Sequence, residues 1–371
     1  MVLEKKCGQP DYWLLGTIVA LLGFGLVILA SCSAPLSYEK FGNTFSFLQH
    51  QIIFGLIPGL VLAFFFYKIK ISLLKKKALF FLLGAMILIM MVFIPGIGLK
   101  VEGAARWLSL GPVTFQPSEI LKLAFIIYLA AWLTSKVPSQ NKGEKKFSQT
   151  FFVFLIIFGF IALALALQPD MGTLVVIFVV VAIMYFSANT PLFQTVFTVI
   201  LAAAAFSVMA KIAPYRANRI LVFFNPEIDP MGIGYQLKQS LIAVGSGGLS
   251  GAGLGMGVQK FGFLPQPFSD SVFAVFSEEM GFLGAFVLLL LFLIFLWRGF
   301  KIAKGAKDRF SQLLAVGITS WVVFQAFVNM GAMIGLLPLT GIPLPFISYG
   351  GSSLVMILAS LGILLNISKT T

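Results

Sequence analysis

The amino-acid sequence predicts an all-α polytopic membrane protein whose helices form a single domain over residues 1–371. The first observation is composition: the chain is 59% hydrophobic and 11% charged, whereas soluble domains carry about 25% charged residues. The second is a pattern: apolar runs of about 20 residues, the length that crosses a bilayer core, recur along the chain. No block of soluble character separates these runs, so one membrane-embedded bundle is expected.

Ten apolar runs are candidate transmembrane helices. They cover residues 13–32, 50–67, 77–95, 117–134, 150–168, 171–189, 192–212, 271–297, 311–337 and 350–367. Only Pro169 and Asp170 separate the fifth run from the sixth, which predicts a tight helical hairpin whose polar tip is either functional or structural, the structural role being favoured. The first run is not followed by a small-residue cleavage site, so we expect an uncleaved first span.

The charges of the loops predict the orientation. Lys and Arg residues concentrate in the short loops that face the cytoplasm when the N-terminus is inside, and acidic residues concentrate in the opposite loops. This is the positive-inside pattern, so both termini are predicted to be cytoplasmic. The longest outer loop, residues 213–270, joins the seventh and eighth helices, and a long ordered loop in a compact protein usually carries function.

Composition also narrows the classes of function. The net charge of +13 comes mainly from loop lysines and arginines, which suits anionic membrane lipids and does not indicate nucleic-acid binding. Two cysteines and one histidine cannot build a zinc site, a haem motif or a disulfide framework. The glycine-rich run 245–257 has no following Lys-Ser or Lys-Thr and follows no strand, so it is not a nucleotide-binding loop. A flexible or re-entrant loop is favoured there, and no organic cofactor is predicted.

Two pairs of residues near the predicted outer surface are candidates for binding. Arg106 and Trp107 suit an interfacial anchor, or an arginine that grips a phosphate while the indole stacks on a sugar or an isoprenoid. Glu119 and Lys122 lie three residues apart on one helix face and can pair. An ion pair inside a membrane is costly unless satisfied, so this pair marks either a functional position or a structural bridge.

Asp270 is the principal catalytic candidate. It precedes the eighth apolar run at the lipid–water boundary, where a partly desolvated carboxylate suits general-base catalysis. The alternative is an N-cap, in which Ser269 or Asp270 accepts the first backbone N–H groups of the helix; the residues alone favour this cap, and one aspartate can serve both roles. Lys260 lies before this acid, and Glu278 and Glu279 follow it as candidate buried acids.

Six motifs together resemble the SEDS family (shape, elongation, division and sporulation) over nearly the whole chain. They are GAARW, FQPSE, LQPDMGT, NPEIDPMGIGYQLKQSLIAVGSGGL, FAVFSEEMG and LPLTGIPLPFISYGGSS. The segments IPGIG and GLGMGVQKFGFLP are more similar to the division branch, FtsW, than to the elongation branch, RodA. The resemblance implies a ten-span peptidoglycan glycosyltransferase that polymerises lipid II at the outer face of the bacterial cytoplasmic (inner) membrane. It also implies a class B penicillin-binding protein, a transpeptidase, as partner.

The resemblance assigns roles to particular residues. The essential aspartate of the family falls on Asp270, the Arg-Trp motif on Arg106 and Trp107, and the QPSE acid and its helical lysine on Glu119 and Lys122. Three positions depart from the family pattern: Phe268-Ser269 replaces His-Thr, Gln266 replaces an acid, and Ala105 replaces a basic residue. Asp270 is therefore the only side-chain base candidate in its motif.

The implied reaction is an inverting glycosyl transfer. The 4-hydroxyl of an acceptor sugar attacks C1 of a donor attached to undecaprenyl pyrophosphate, with Asp270 as general base. The leaving pyrophosphate requires positive charge, for which the candidates are Arg106, Lys260, Arg216 and Arg219.

Further groups complete the predicted site. A divalent cation, Mg or Mn, is expected at the pyrophosphate, with Asp270 and Glu119 as its candidate ligands. Trp107 and apolar grooves between the helices are expected to hold the lipid chains. Glu119, Lys122 and Ser352 complete the predicted substrate-binding set.

Two other classes of function stay open on the sequence. One is a lipid II flippase, which the intramembrane pair Glu119–Lys122 would serve. The other is a non-catalytic scaffold for the division machinery. Within the enzymatic class, a RodA-type elongation polymerase is the alternative to the division type.

Overall fold

The structure is a computed structural model that describes residues 8–101, 104–111, 113–136, 149–190, 193–194, 196–201, 219, 221–225, 227 and 231–370. Ten helices within these residues have complete bounds. They are α1 (Tyr12–Phe41), α2 (Ser46–Lys68), α3 (Ile71–Met91), α4 (Pro117–Lys136), α5 (Gln149–Leu167), α6 (Met171–Ser187), α7 (Ile233–Ser246), α8 (Val272–Gly305), α9 (Arg309–Met333) and α10 (Gly351–Ser368). Helix α2 contains a π-helical turn over Ile52–Leu56.

The helices confirm a multi-pass membrane protein. Among the described residues, six helices are long and apolar enough to cross a membrane, namely α1, α2, α4, α8, α9 and α10, and the apolar helices at 151–167 and 171–187 are shorter. The predicted seventh span, residues 192–212, lies largely outside the described residues. The count of ten spans therefore stays a prediction.

The first large outer loop departs from the all-α prediction, because it contains a small β-sheet. Three short strands form an antiparallel sheet in the order β1 (Gly98–Val101), β2 (Ala104–Leu110) and β3 (Val113–Phe115). Gly111 lies between β2 and β3 with φ of 66°, a left-handed conformation that glycine adopts without strain. The sheet presents β2 to the end of the helical bundle.

Helix α9 is the centre of the bundle. It packs against α4, α6, α8 and α10, and Trp321 near its middle is fully buried. Large apolar side chains on the outer helices, such as Phe80, Ile156 and Phe282, are 60–70% exposed. Exposed apolar side chains of this kind suit a lipid environment, because lipid tails solvate them as well as a protein core does.

The loops separate into two groups at opposite ends of the bundle. At one end Asp11 caps α1 by accepting from the N–H of Leu14 (2.9 Å) and pairs with Arg298. Ser368 at the end of α10 joins the same group by accepting from the N–H of Asp11 (3.0 Å). The sheet, the α5–α6 hairpin tip and the segments before α8 and α10 meet at the other end. The assignment of the loops to an inner and an outer side of the membrane stays a prediction.

Candidate active site

A cavity of about 250 Å³ lies at the end of the bundle where the predicted outer loops meet. Strand β2, the first turns of α4 and α10, and the segment before α8 contribute to its wall. The wall includes six of the predicted site residues: Arg106, Trp107, Glu119, Lys122, Asp270 and Ser352. The fold therefore brings together candidates that come from distant parts of the chain.

Asp270 is held on both its backbone and its side chain. The amide of Asn329 donates to the carbonyl of Asp270 (2.8 Å) and to that of Ile342 (2.8 Å). The Ser269 hydroxyl donates to Oδ1 of Asp270 (3.1 Å). Ser271 occupies the N-cap position of α8, so the alternative of a cap at Ser269 or Asp270 is wrong. The carboxylate faces the cavity instead.

Arg219 lies close to Asp270 across Gly341. A β-carbon on Gly341 would lie 3.3 Å from Oδ2 of Asp270 and 3.8 Å from Nη1 of Arg219. Nη1 also donates to the carbonyl of Leu339 (3.1 Å). Gly341 has φ of 69°, a conformation that strains other residues. The glycine therefore lets a guanidinium and the candidate base approach one another, while Arg216 lies outside the described residues.

Arg106 joins the sheet to the α5–α6 hairpin tip. Its Nε donates to the carbonyl of Gln168 (3.1 Å) and its Nη2 to that of Pro169 (2.6 Å). A guanidinium has five N–H donors, and these bonds use two of them. Arg106 is thus fixed in the wall beside Trp107, in a position that suits recognition of an anion in the cavity.

Asp170 at the same tip has a structural role, as predicted. It caps α6 by accepting from the N–H of Thr173 (3.2 Å), and its other oxygen accepts from the amide of Gln116 (3.3 Å). The N–H of Gln116 donates in turn to the hydroxyl of Ser352 (3.1 Å). These contacts tie the hairpin tip, α4 and α10 together around the cavity.

The predicted ion pair between Glu119 and Lys122 is present in the buried wall. The ammonium lies 2.8 Å from Oε1 of Glu119 and 3.0 Å from Oε1 of Gln325, and 5.1 Å from the centre of the Trp321 ring. The amide of Gln325 donates to the carbonyl of Pro343 (2.9 Å). Among the described residues Oε2 of Glu119 has no hydrogen-bond partner, so this buried oxygen can accept a proton or a hydrogen bond from a ligand.

Lys260, a predicted pyrophosphate ligand, is placed elsewhere. Its ammonium lies 2.6 Å from Oε1 of Glu279 and donates to the hydroxyl of Ser31 (2.9 Å) and the carbonyl of Gly255 (2.8 Å). Lys260 lines a neighbouring groove of about 600 Å³ between α1 and the segment before α8. Because a buried carboxylate already neutralises this ammonium, its evident role is structural.

The glycine-rich run 245–257 docks on α8 through backbone hydrogen bonds, so the expectation of a flexible loop does not hold, while a re-entrant course stays a prediction. The N–H of Gly253 donates to the carbonyl of Glu279 (3.0 Å), and the N–H of Phe282 donates to that of Gly248 (2.9 Å). A β-carbon on Gly251 would lie 2.1 Å from the carbonyl oxygen of Glu279. The glycines therefore allow backbone to pack directly on backbone.

Helix α8 is kinked where this loop docks. Gly281 has φ of 62° and ψ of −167°, which interrupts the helix. Glu278, in the turn before the kink, is buried and accepts from the N–H of Val258 (2.8 Å). The two predicted buried acids thus hold the loop, one through the backbone and the other through Lys260.

The carboxylates of the cavity and a phosphate-bearing ligand together can coordinate a divalent cation. Asp270, Glu119 and Asp170 all line it, but in the part of the chain that the structure describes no three acidic, histidine or cysteine side chains form a metal-binding group. Magnesium is commonly held by one or two carboxylates together with substrate phosphates. The donor set therefore fits an ion that Asp270 or Glu119 would hold together with substrate phosphates. It does not fit an ion held by protein ligands alone.

Residues 12–371 match the family model FtsW/RodA/SpoVE, described as cell cycle protein. The chain belongs to this family. Stage V sporulation protein E of Bacillus subtilis is 40% identical over 367 residues, which cover 99% of each chain. A probable peptidoglycan glycosyltransferase FtsW of Thioalkalivibrio sulfidiphilus is 39% identical over 373 residues, which cover 100% of this chain and 92% of that protein.

Two solved structures share the fold. One, described as "Structural coordination of polymerization and crosslinking by a peptidoglycan synthase complex", has a TM-score of 0.78 and 27% identity and covers 97% of both chains. The rod shape determining protein RodA of Thermus thermophilus has a TM-score of 0.70 and 25% identity, with 97% of this chain and 96% of that chain covered.

Several cavity-wall residues are not among the predicted site residues, including Gln116, Asp170, Gly341 and Tyr349. The sequence favours a structural role for Asp170 at the hairpin tip, although an acid between two apolar helices is itself a functional signal. Gly341 and Tyr349 belong to the Pro- and Gly-rich segment before α10. Non-helical backbone at membrane depth lines cavities, so composition indicated this segment without selecting its residues.

Proposed function

We propose that this FtsW/RodA/SpoVE protein is a peptidoglycan glycosyltransferase that polymerises lipid II, with Asp270 as the general base. The observation that carries the proposal is one cavity wall shared by Asp270, Arg106, Trp107 and the Glu119–Lys122 pair. An acid at the mouth of a cavity with a guanidinium and an indole suits a substrate that combines a sugar, a pyrophosphate and a lipid. The relative named as a probable peptidoglycan glycosyltransferase supports the same activity.

In the proposed reaction, Asp270 accepts the proton of the acceptor's 4-hydroxyl. The hydroxyl oxygen attacks C1 of the donor sugar, the new C–O bond forms with inversion, and the bond from C1 to the pyrophosphate oxygen breaks. Undecaprenyl pyrophosphate leaves with the bonding electron pair. The hydrogen bonds from Ser269 to the side chain and from Asn329 to the backbone hold the base in place before the reaction, which reduces the cost of reaching the transition state.

Positive charge for the leaving pyrophosphate is proposed to come from Arg106 and Arg219. Arg106 lies in the wall of the cavity, and Arg219 lies beside Asp270 across Gly341. Arg216 is a further candidate from the sequence. A divalent cation held by Asp270 or Glu119 would add charge neutralisation when bound, and the protein residues position the substrate whether or not it is present.

The cavity is proposed to face the outer side of the bacterial cytoplasmic membrane. The lysines and arginines of the opposite loops support this orientation through the positive-inside rule, and lipid-linked sugars would reach the cavity from the outer leaflet. A class B penicillin-binding protein is the proposed partner. The similar solved structure described as a complex for polymerization and crosslinking supports such a pairing.

Within the family, we propose a role in division, that is, in septal wall synthesis. The segments IPGIG and GLGMGVQKFGFLP and the FtsW relative support this assignment. Cells depleted of the protein are expected to form filaments with unfinished septa, whereas loss of rod shape would indicate an elongation role.

The test is Asp270→Asn in the purified protein with its partner, assayed for lipid II polymerisation. Loss of a general base is expected to reduce the rate by roughly 10²–10⁴-fold, with unchanged thermal unfolding. Asp308→Asn is the matched control, because Asp308 caps α9 away from the cavity and asparagine also serves as an N-cap.

Three other results would contradict the proposal. Normal polymerisation by the Asp270→Asn protein would show that Asp270 is not the general base. Lipid II translocation by a wild-type protein that never polymerises would favour the flippase, and the absence of both activities would favour a scaffold.

A further inference from the structure

The segment that carries Tyr349 is bonded to the segment that carries Asp270. The N–H of Tyr349 donates to the carbonyl of Phe268 (2.8 Å), and the hydroxyl of Ser348 donates to that of Ser269 (2.6 Å). Tyr349 also lines the Asp270 cavity. The position of Tyr349 relative to the candidate base is therefore fixed by two hydrogen bonds to the backbone before Asp270.

The chain's single histidine meets the Tyr349 hydroxyl from α2. Nδ1 of His50 lies 2.9 Å from the phenol oxygen, and the His50 ring lies 4.8 Å from that of Phe54. Phe47 and Phe268 pack edge-to-face on the tyrosine ring, with centroids at 5.4 and 5.7 Å. The phenol and the imidazole are thus a polar pair set among aromatic rings.

Helix α2 is shaped to hold this pair. Gln51 next to His50 accepts from the N–H of Gly350 (3.1 Å) and donates to the carbonyl of Ser348 (3.5 Å), so it clamps the backbone on both sides of Tyr349. The π-helical turn Ile52–Leu56 begins directly after Gln51. Such turns change the direction of side chains and are frequent at functional sites.

We infer that the Tyr349 hydroxyl donates a hydrogen bond to the pyrophosphate of the lipid-linked substrate, and that His50 is its positioning residue. With a proton on Nδ1, the imidazole donates to the phenol oxygen and leaves the phenol O–H to point into the cavity. Burial raises the pKa of Tyr349, so the hydroxyl keeps its proton. The phenol O–H adds a neutral donor to the charged Arg106 in the wall of the same cavity. The inference rests on the proposed function, which it extends to a further substrate contact.

Four variants separate a polar role from a packing role. Tyr349→Phe removes the hydroxyl, and His50→Phe keeps the ring against Phe54 but removes the donor. His50→Asn removes the ring but places an amide N–H near the former Nδ1. The double variant His50→Phe/Tyr349→Phe completes a cycle.

Binding of undecaprenyl pyrophosphate in nanodiscs is measured for each variant in an Asp270→Asn background, alongside lipid II polymerisation with Asp270 present. Tyr349→Phe is expected to weaken pyrophosphate binding about tenfold, as for loss of one hydrogen bond to a charged group. His50→Phe is expected to have a similar effect, the double variant to be no worse than Tyr349→Phe, and His50→Asn to recover at least half of the loss.

Unchanged pyrophosphate binding by Tyr349→Phe would overturn the inference. Additive effects in the double variant would also overturn it, because they would show that the two side chains act independently. Full function in His50→Phe with loss in His50→Asn would overturn it too, because it would show that only packing matters. If the wild type binds as expected but never polymerises lipid II, the proposed function fails while the contact stands.

Discussion

Replacement of Lys260 distinguishes a structural ion pair from a substrate ligand. In Lys260→Met, the buried Glu279 carboxylate loses the ammonium at 2.6 Å, and the side chains of the pair are 4% and 0% exposed. Removing one partner of a buried ion pair costs about 3–5 kcal/mol. Ser31, which donates to both carboxylate oxygens at 2.7 and 2.8 Å, retains part of the stabilisation, so we expect about 3 kcal/mol.

The assay combines thermal unfolding with the kinetics of lipid II polymerisation. Lys260→Met/Glu279→Gln removes both charges, and it is expected to unfold at a higher temperature than Lys260→Met. Lys238→Met is the control, because Lys238 is exposed on α7 and such surface changes stay within about 0.5 kcal/mol. A Lys260→Met protein that is as stable as the wild type, with KM raised tenfold, would refute the structural assignment and restore Lys260 as a pyrophosphate ligand.

Three further predictions concern the same end of the bundle. Gly341→Ala places a β-carbon 3.3 Å from Oδ2 of Asp270 at φ of 69°. Polymerisation should therefore fall at least tenfold, while the backbone strain costs only about 1–2 kcal/mol. Normal polymerisation would contradict the close packing of Gly341 on Asp270. Gln325→Leu removes an acceptor from Lys122 and should destabilise the protein by about 1–3 kcal/mol, measured by thermal unfolding, with an unchanged melting temperature as the contrary result. Chelation should abolish polymerisation reversibly without lowering the melting temperature, since any cation is shared with substrate; activity that survives chelation would remove the cation.

Much of the helical scaffold could be predicted because hydropathy depends only on local sequence. Helices α5 and α6 begin and end close to the predicted limits, with the break at Asp170. The sheet was missed because its strands are short and lie in a loop, where pairing between segments decides the structure. Helix α1 extends past the predicted end at residue 32 to Phe41, since polar residues can continue a helix beyond the apolar core.

The candidate site could be predicted in part for a similar reason. Asp270 and Arg106 were selected from their motifs, and the fold brings them to one cavity. The partner of Lys260 could not be predicted, because Glu279 and Ser31 approach it only after α1 and α8 have packed. The charge of a loop residue is known from the sequence, but the residue that neutralises it is determined by tertiary contacts.

The kink at Gly281 links the position of Asp270 along the membrane normal to the thickness of the bilayer. Helix α8 has 34 residues, roughly 50 Å of helix, which exceeds the hydrocarbon core of about 30 Å. The part after the kink carries exposed apolar side chains such as Phe282, while the part before it is bonded to the glycine-rich loop and leads directly from Asp270. A span that shifts to match membrane thickness would therefore carry the carboxylate up or down relative to the sugar headgroups. We predict an optimum acyl-chain length for polymerisation in reconstituted vesicles, and equal rates across short and long lipids would exclude this coupling.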